Sequence, residues 1–306
     1  MPARDVLLAT LVALIWGVNF VVIDIGLDGM PPLVLVALRF VVVLLPAVFL
    51  VPRPIVPWRV LLASAAFLSF GQFGLLYTGL AVGMPPGLAS LVVQAQVIFT
   101  VIIAAGWLRE RPTAGQVVGI VLGVAGLSVV AGGRSAETPL FGLLLCVAAA
   151  LSWATGNVVT RRAGVASGLS MVVWSALFVP VPMFALAVLV EGPAAVGSSL
   201  AHLTLANVLA TFYTAYLASL VGYGIWNSLL ARHPAAAVVP FTLLIPPVGM
   251  ASAWLVLDER PGPAEIIGGA VLLAGVAVTV FGARRKVTSA AKPRPGSTAE
   301  PRPVTV

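Results

Sequence analysis

Between Arg59 and Arg109 the chain carries no Lys, Arg, Asp or Glu, and the same is true between Arg111 and Arg134 and between Arg162 and Glu191. A hydrocarbon core roughly 30 Å thick takes about 20 residues of helix to cross. The first uncharged run therefore holds two membrane spans, broken at Gly83-Met84-Pro85-Pro86-Gly87, and each of the others holds one. Spanning β-barrels would show short segments of alternating polarity, which are not visible here. With 60% hydrophobic and 9% charged residues and a mean hydropathy of +1.10, the chain lacks the polar surface of a soluble domain. The fold class expected is an all-α integral membrane protein.

Ten spans are expected, at 5–27, 32–51, 59–81, 86–107, 113–132, 139–160, 169–190, 206–228, 235–257 and 262–283. Prolines mark most of the joins, as residues that suit a first helical turn or a loop and not a helix interior. The apolar stretch from Val6 to Leu27 is too long for a signal-peptide core and reads as the first span. Orientation follows from the basic residues. With the N-terminus in the cytoplasm, Arg4, Arg53, Arg59, Arg109, Arg111, Arg161, Arg162, Arg232, Arg284, Arg285 and Lys286 all fall inside. Only Arg134 and Arg260 fall outside, among Asp24, Asp28, Glu137, Glu191, Asp258, Glu259 and Glu265. The expectation is a multi-pass protein of a bacterial inner membrane with both termini cytoplasmic. Its net charge of +7 is then topological, and no nucleic-acid partner is implied.

The chain repeats itself. Glu110-Arg111-Pro112 recurs as Glu259-Arg260-Pro261, and Gly119, Gly126 and Gly133 meet Gly268, Gly275 and Gly282 at the same offset. Ala13-Leu14-Ile15-Trp16 matches Ala150-Leu151-Ser152-Trp153, each followed by an asparagine, Asn19 and Asn157. Residues 1–135 and 136–285 are thus expected to be two five-helix copies, and an odd number of spans makes them face opposite ways. Inverted repeats are common among secondary transporters, which hold substrate between the halves near the midplane. Residues 286–306 are expected to form a disordered basic cytoplasmic tail. Glycines at four-residue spacing in the fifth span, and Gly268, Gly269 and Gly275 in the tenth, permit close helix packing. That packing joins the two spans within the chain or dimerises it, so monomer and homodimer both stand.

Polar side chains in hydrocarbon are costly. Arg39, about two turns into the second span, is either an anchor for a substrate carboxylate or a structural group, paired with Asp24 or reaching the outer interface. Gln72, Gln94 and Gln96 are expected at a pathway, but residues two apart on an α-helix point nearly opposite ways, so Gln94 and Gln96 should not both face one cavity. Asn19 and Asn157 either bond backbone or line the site. Trp16 and Trp153 are expected as cavity walls, with Tyr223 beside them. Pro240, Pro246 and Pro247 should distort the ninth span and free carbonyls toward a cavity. His202 and His233 lie apart in loops, and one cysteine, Cys146, permits no internal disulfide; neither a metal site nor a cofactor is expected. An enzyme would need clustered acid, base or nucleophile chemistry, and Glu110 and Glu259 lie at opposite faces in the same role at a helix start.

Trp16-Gly17-Val18-Asn19-Phe20, Ala37-Leu38-Arg39-Phe40, Gly83-Met84-Pro85 with Ala89-Ser90-Leu91, and the Glu-Arg-Pro turns before glycine-spaced helices resemble the EamA family of the drug/metabolite transporter superfamily. The resemblance spans about residues 4–285. It is nearest to that family's amino-acid metabolite exporters in Ser69-Phe70-Gly71-Gln72-Phe73, Leu91-Val92-Val93-Gln94-Ala95-Gln96, Val221-Gly222-Tyr223-Gly224-Ile225-Trp226 and Leu257-Asp258-Glu259-Arg260. It implies ten helices in an inverted repeat and proton-driven export of cysteine- or O-acetylserine-like solutes. A same-fold exporter of a drug, sugar or polyamine is the alternative, and a membrane-embedded enzyme the remote one.

Overall fold

The computed structural model describes residues 1–133, 138–164 and 168–282. The expected tail, and Arg134, Glu137, Arg284, Arg285 and Lys286 from the orientation argument, lie outside the described residues. Within them every regular element is helical. Nine helices are long and apolar enough to cross a membrane: α1 (Ala3–Gly26), α2 (Pro32–Leu50), α3 (Trp58–Ala81), α4 (Pro86–Trp107), α5 (Ala114–Gly132), α6 (Leu140–Arg162), α8 (Leu205–Arg232), α9 (Ala235–Leu257) and α10 (Pro263–Gly282). Between α6 and α8, α7 is a pair, Leu169–Ala176 and Pro180–Glu191, bent by 49°. Counting it as one span gives ten. The protein is a multi-pass membrane protein.

Two departures from the expected spans have plain causes. The bend in α7 sits where Pro180 removes a backbone donor and resets the helix at its own first turn. Beyond Gly192, at φ +88°, a short helix, Pro193–Ala201, fills what reads in sequence as loop.

Contacts at the helix ends define two faces. Asp5 at the start of α1 meets Arg232 at 3.1 Å and His233 at 2.6 Å, where α8 ends. Glu110, between α4 and α5, pairs with Arg161 at the end of α6 at 2.6 Å. These mark the N-terminal face. At the opposite face Asn207, inside a capping box with Thr204, donates to the carbonyls of Gly26 and Asp28. Glu191 at the end of α7 accepts from the Leu33 N–H, and Glu259 after α9 accepts from Gly87 and Leu88. Helices α2 and α4 begin with Pro and lack a capping side chain of their own, so acids from other elements satisfy their free N–H groups.

Helices α5 and α10 pack on each other within the chain. A Cβ added at Gly119 would meet Thr279 and the Gly275 carbonyl; one at Gly126 would meet Leu272 and the Gly268 carbonyl; Gly115 lies on Gly282. The backbones approach so closely that only glycine fits at these crossings.

Candidate functional site

Four spans lose regular α-winding in their middle. Helix α3 is π-wound over Ala65–Gly71 and α8 over Tyr213–Val221, while α4 is 3₁₀ over Val93–Ala95 and α9 over Val239–Leu244. Such irregular winding re-aims side chains and frees backbone groups. It surrounds a cavity of about 460 Å³ and a smaller adjoining one of about 60 Å³. Thr160, Arg161 and Gly168 line the larger one, so it extends to the N-terminal face.

All nine residues singled out in sequence line this space. Arg39, Gln72, Gln94, Trp16, Trp153 and Tyr223 border both cavities; Gln96 and Asn157 border the larger, Asn19 the smaller. The expected exclusion between Gln94 and Gln96 is corrected by the 3₁₀ turn between them. At three residues per turn, positions two apart diverge by about 120° instead of 160°. Each then has its own partner. Asn157 Nδ2 donates to Gln96 Oε1 at 3.1 Å, and Gln94 Nε2 donates to the Thr242 carbonyl at 2.9 Å. That carbonyl already accepts the Ile245 N–H in 3₁₀ fashion, residue 246 being a proline with no N–H to give, and its second lone pair takes Gln94.

Arg39 is buried, 2% exposed, and no carboxylate of the described residues forms an ion pair with it. One end nitrogen donates to Tyr77 Oη at 3.1 Å and the other to Ser219 Oγ at 2.9 Å. The guanidinium lies 3.9 Å from the Phe73 ring centroid, while its Nε has no partner. Neither the pairing with Asp24 nor the reach to the outer interface that sequence left open is formed, because α3 and α8 close over the side chain. Among the described residues Arg39 and Arg161 are the charged members of the lining, Arg161 paired with Glu110 beyond it, and no Asp or Glu lines the space.

The aromatic wall is a cluster. Trp16 meets Tyr223 at 5.1 Å and Trp226 at 5.4 Å between ring centroids, both tilted, and its Nε1 donates to the Ala218 carbonyl in the π-wound part of α8. Sequence reasoning singled out neither Ser219 nor Tyr77 for the site. A serine in an apolar span has no signal of its own, and only the π-winding turns its hydroxyl onto Arg39.

Glu110 and Glu259 do not share one contact, as expected of a common role. Each follows a left-handed residue, Arg109 at φ 54° and Asp258 at φ 53°, and each N–H reaches back to the carbonyl of Ala104 or Ala253. The turns match; the side chains part, Glu110 to Arg161 and Glu259 to the N-terminus of α4. His202 bonds only the Ser198 carbonyl, and no group of three or more His, Cys, Asp or Glu among the described residues is placed to hold a metal.

Comparison with known proteins places these features in a wider group. Residues 4–132 and 140–281 match the EamA-like transporter family. A protein of Escherichia coli (strain K12) named probable amino-acid metabolite efflux pump is 41% identical over 290 residues, covering 93% of this chain and 97% of that one. A probable terminal-alkyne amino-acid exporter of Streptantibioticus cattleyicolor is 29% identical, over 68% of this chain and 69% of its own. A solved crystal structure at 22% identity superposes with a TM-score of 0.62, covering 94% of this chain and 99% of that chain, and is alike in fold.

Proposed function

This chain belongs to the EamA-like transporter family, and on that premise we propose that it exports small amino-acid metabolites of the cysteine or O-acetylserine kind across a bacterial inner membrane. The observation that carries the reading is Arg39, a buried cation with no acid partner at the floor of a cavity open at one face. An unpaired buried charge costs several kcal/mol, about as much as an arriving carboxylate relieves. Tyr77, Ser219 and Phe73 hold the guanidinium in place; Gln72, Gln94, Gln96, Asn19 and Asn157 bond the polar remainder of the solute; Trp16, Trp153 and Tyr223 wall its apolar part. With both termini cytoplasmic, the cavity faces the cytoplasm, the side from which an exporter loads. Residues 1–135 and 136–285 act as inverted halves that rock about this site, driven by the proton gradient.

The transported solute carries a carboxylate. Arg39, the lining charge without an acid partner, disfavours polyamines and cationic drugs, the alternative cargoes of the same fold, through like-charge repulsion at short range; Arg161 is already compensated by Glu110.

The test is uptake of labelled cysteine and O-acetylserine into inside-out vesicles with an acidic lumen. Uptake should collapse with the gradient and should resist competition by putrescine. Arg39→Gln should lower it by roughly tenfold to a hundredfold, since hydrogen bonds to a charged group contribute about 1.5–3 kcal/mol. Unchanged uptake by a folded Arg39→Gln protein would remove the anchor; competition by putrescine would remove the carboxylate rule.

A further inference from the structure

The cavity is shut at the face opposite the N-terminus, and the closure has a specific construction. The first turns of α4 press against the last turns of α9 through small residues. A Cβ on Gly249 would meet Ser90, and one on Gly87 would meet the backbone of Met250 and the side chain of Ala253. Across the top of this seam lies Glu259. Its Oε2 accepts from the Gly87 N–H at 2.9 Å and its Oε1 from the Leu88 N–H at 3.2 Å. A Cβ at Gly87 would stand 2.8 Å from Oε1, so glycine is what lets the carboxylate sit down on the helix end. The left-handed turn at Asp258 aims it there. At the open face the matching turn at Arg109 delivers Glu110 elsewhere, to exposed Arg161. One copy of the turn is engaged where the protein is closed, and the other is disengaged where it is open.

We infer that Glu259 is the latch of the outer gate: its carboxyl group, seated on the N-terminus of α4, holds α4 and α9 together, a proton delivered to it from outside tightens that hold, and loss of the proton loosens it. This rests on the alternating-access reading above. The proton adds to a carboxylate oxygen and no other covalent bond forms or breaks; the two accepted hydrogen bonds lose their charge assistance, but the seam is relieved of a buried charge, and that gain is the larger. The groups facing Glu259 favour that step. Asp24 of α1 and Glu265 of α10 repel its charge, Asp258 and Arg260 of its own turn pair with each other at 3.0 Å, and the facing turns of α4 and α9 carry no charge. Burial first, then these acids, push the carboxyl above the ordinary range despite the two backbone bonds that lower it. The sign follows: the seated carboxyl binds a proton more tightly than the solvated carboxyl of an open seam, so closure is strongest at low outside pH and weakens as outside pH rises through the raised value.

The experiment replaces Cys146 by Ser and Ser90 by Cys, which puts one thiol under the latch at the α4–α9 seam. A membrane-impermeant maleimide is added outside right-side-out vesicles, without substrate. Each rate is normalised to that of the denatured protein at the same pH, which removes the thiol's own titration. Lowering outside pH from about 7.5 to about 5.5 should slow labelling by roughly fivefold or more. Glu259→Gln, neutral throughout, should label slowly at both pH values. Glu259→Asp should keep the pH dependence from a higher baseline. Gly87→Ala leaves the acid in the chain but fills its seat, and should open the seam at both pH values. Parent labelling that is independent of pH, or faster at low pH, overturns the latch, and so does a parent-like profile in either Glu259→Gln or Gly87→Ala, whichever folds. Because the readout needs no solute, latch failure beside normal uptake rejects the latch alone. Normal latch behaviour beside absent uptake rejects the export reading alone.

Discussion

Arg39 shows how a single side chain can be both a liability and a tool. Tyr77 and Ser219 each take one end nitrogen, and Phe73 takes the flat face of the guanidinium. Lysine cannot replace this set, because an ammonium offers neither the planar fork nor the stacking surface. Arg39→Lys should therefore behave like Arg39→Gln in vesicle uptake, not like the parent. Tyr77→Phe should leave the protein folded. It removes one hydrogen bond to a charge, worth about 1.5–3 kcal/mol, and should lower the thermal midpoint in detergent and raise the apparent KM for export. A Tyr77→Phe protein with unchanged midpoint and KM would show that the phenol merely fills space. The candidate site was legible in sequence as far as cost could reveal it: Arg39, the three glutamines and the two asparagines stand out against hydrocarbon. Ser219 does not, since a serine can satisfy itself on its own helix, and it is the π-wound backbone that decides which way its hydroxyl turns.

At the level of elements, charge-free runs and prolines were enough to place the spans. Helices α1 to α6, α9 and α10 begin and end within two residues of the expected limits, and α8 runs four residues further, to Arg232. The irregular winding was legible only in α9, where Pro246 has no N–H for the Thr242 carbonyl, which accepts from Ile245 and Gln94 instead. In α3 and α8 no proline marks the π-segments. They sit where Ser152 reaches the Phe67 carbonyl and Trp16 reaches that of Ala218, contacts between helices distant in sequence. The glycine stripe of α5 left two partners open, and close backbone contact with α10 answers for this chain. A leucine at Gly119 would have to displace Thr279 and the Gly275 backbone. Overpacking of this kind costs typically 1–3 kcal/mol or more, so Gly119→Leu should lower the thermal midpoint in detergent, while Val121→Leu, at a position 62% exposed on the same helix, should not. Equal midpoints for the two would mean that the α5–α10 seam contributes little.

For the whole molecule, the cavity becomes an export route only if the N-terminal face is cytoplasmic. The described charges sort well by face: Asp5 is held by Arg232 and His233 where the cavity opens, and the capping acids Glu191 and Glu259 lie where it is shut. Translocation retains basic loops inside far more strongly than it rejects acidic ones, so Arg53, Arg109, Arg161 and Arg232 carry the argument and the acids follow. Two exposed positions report it directly. Ile55 lies in the loop between α2 and α3, and Leu203 lies between the short helix and α8. In a Cys146→Ser background, Leu203→Cys should react with an impermeant maleimide in intact cells, and Ile55→Cys only in inside-out vesicles. The reverse pattern would turn the open cavity toward the outside. Arg39 would then await a solute arriving from the medium, the latched seam would close the cytoplasmic side, and the same site would read as an importer.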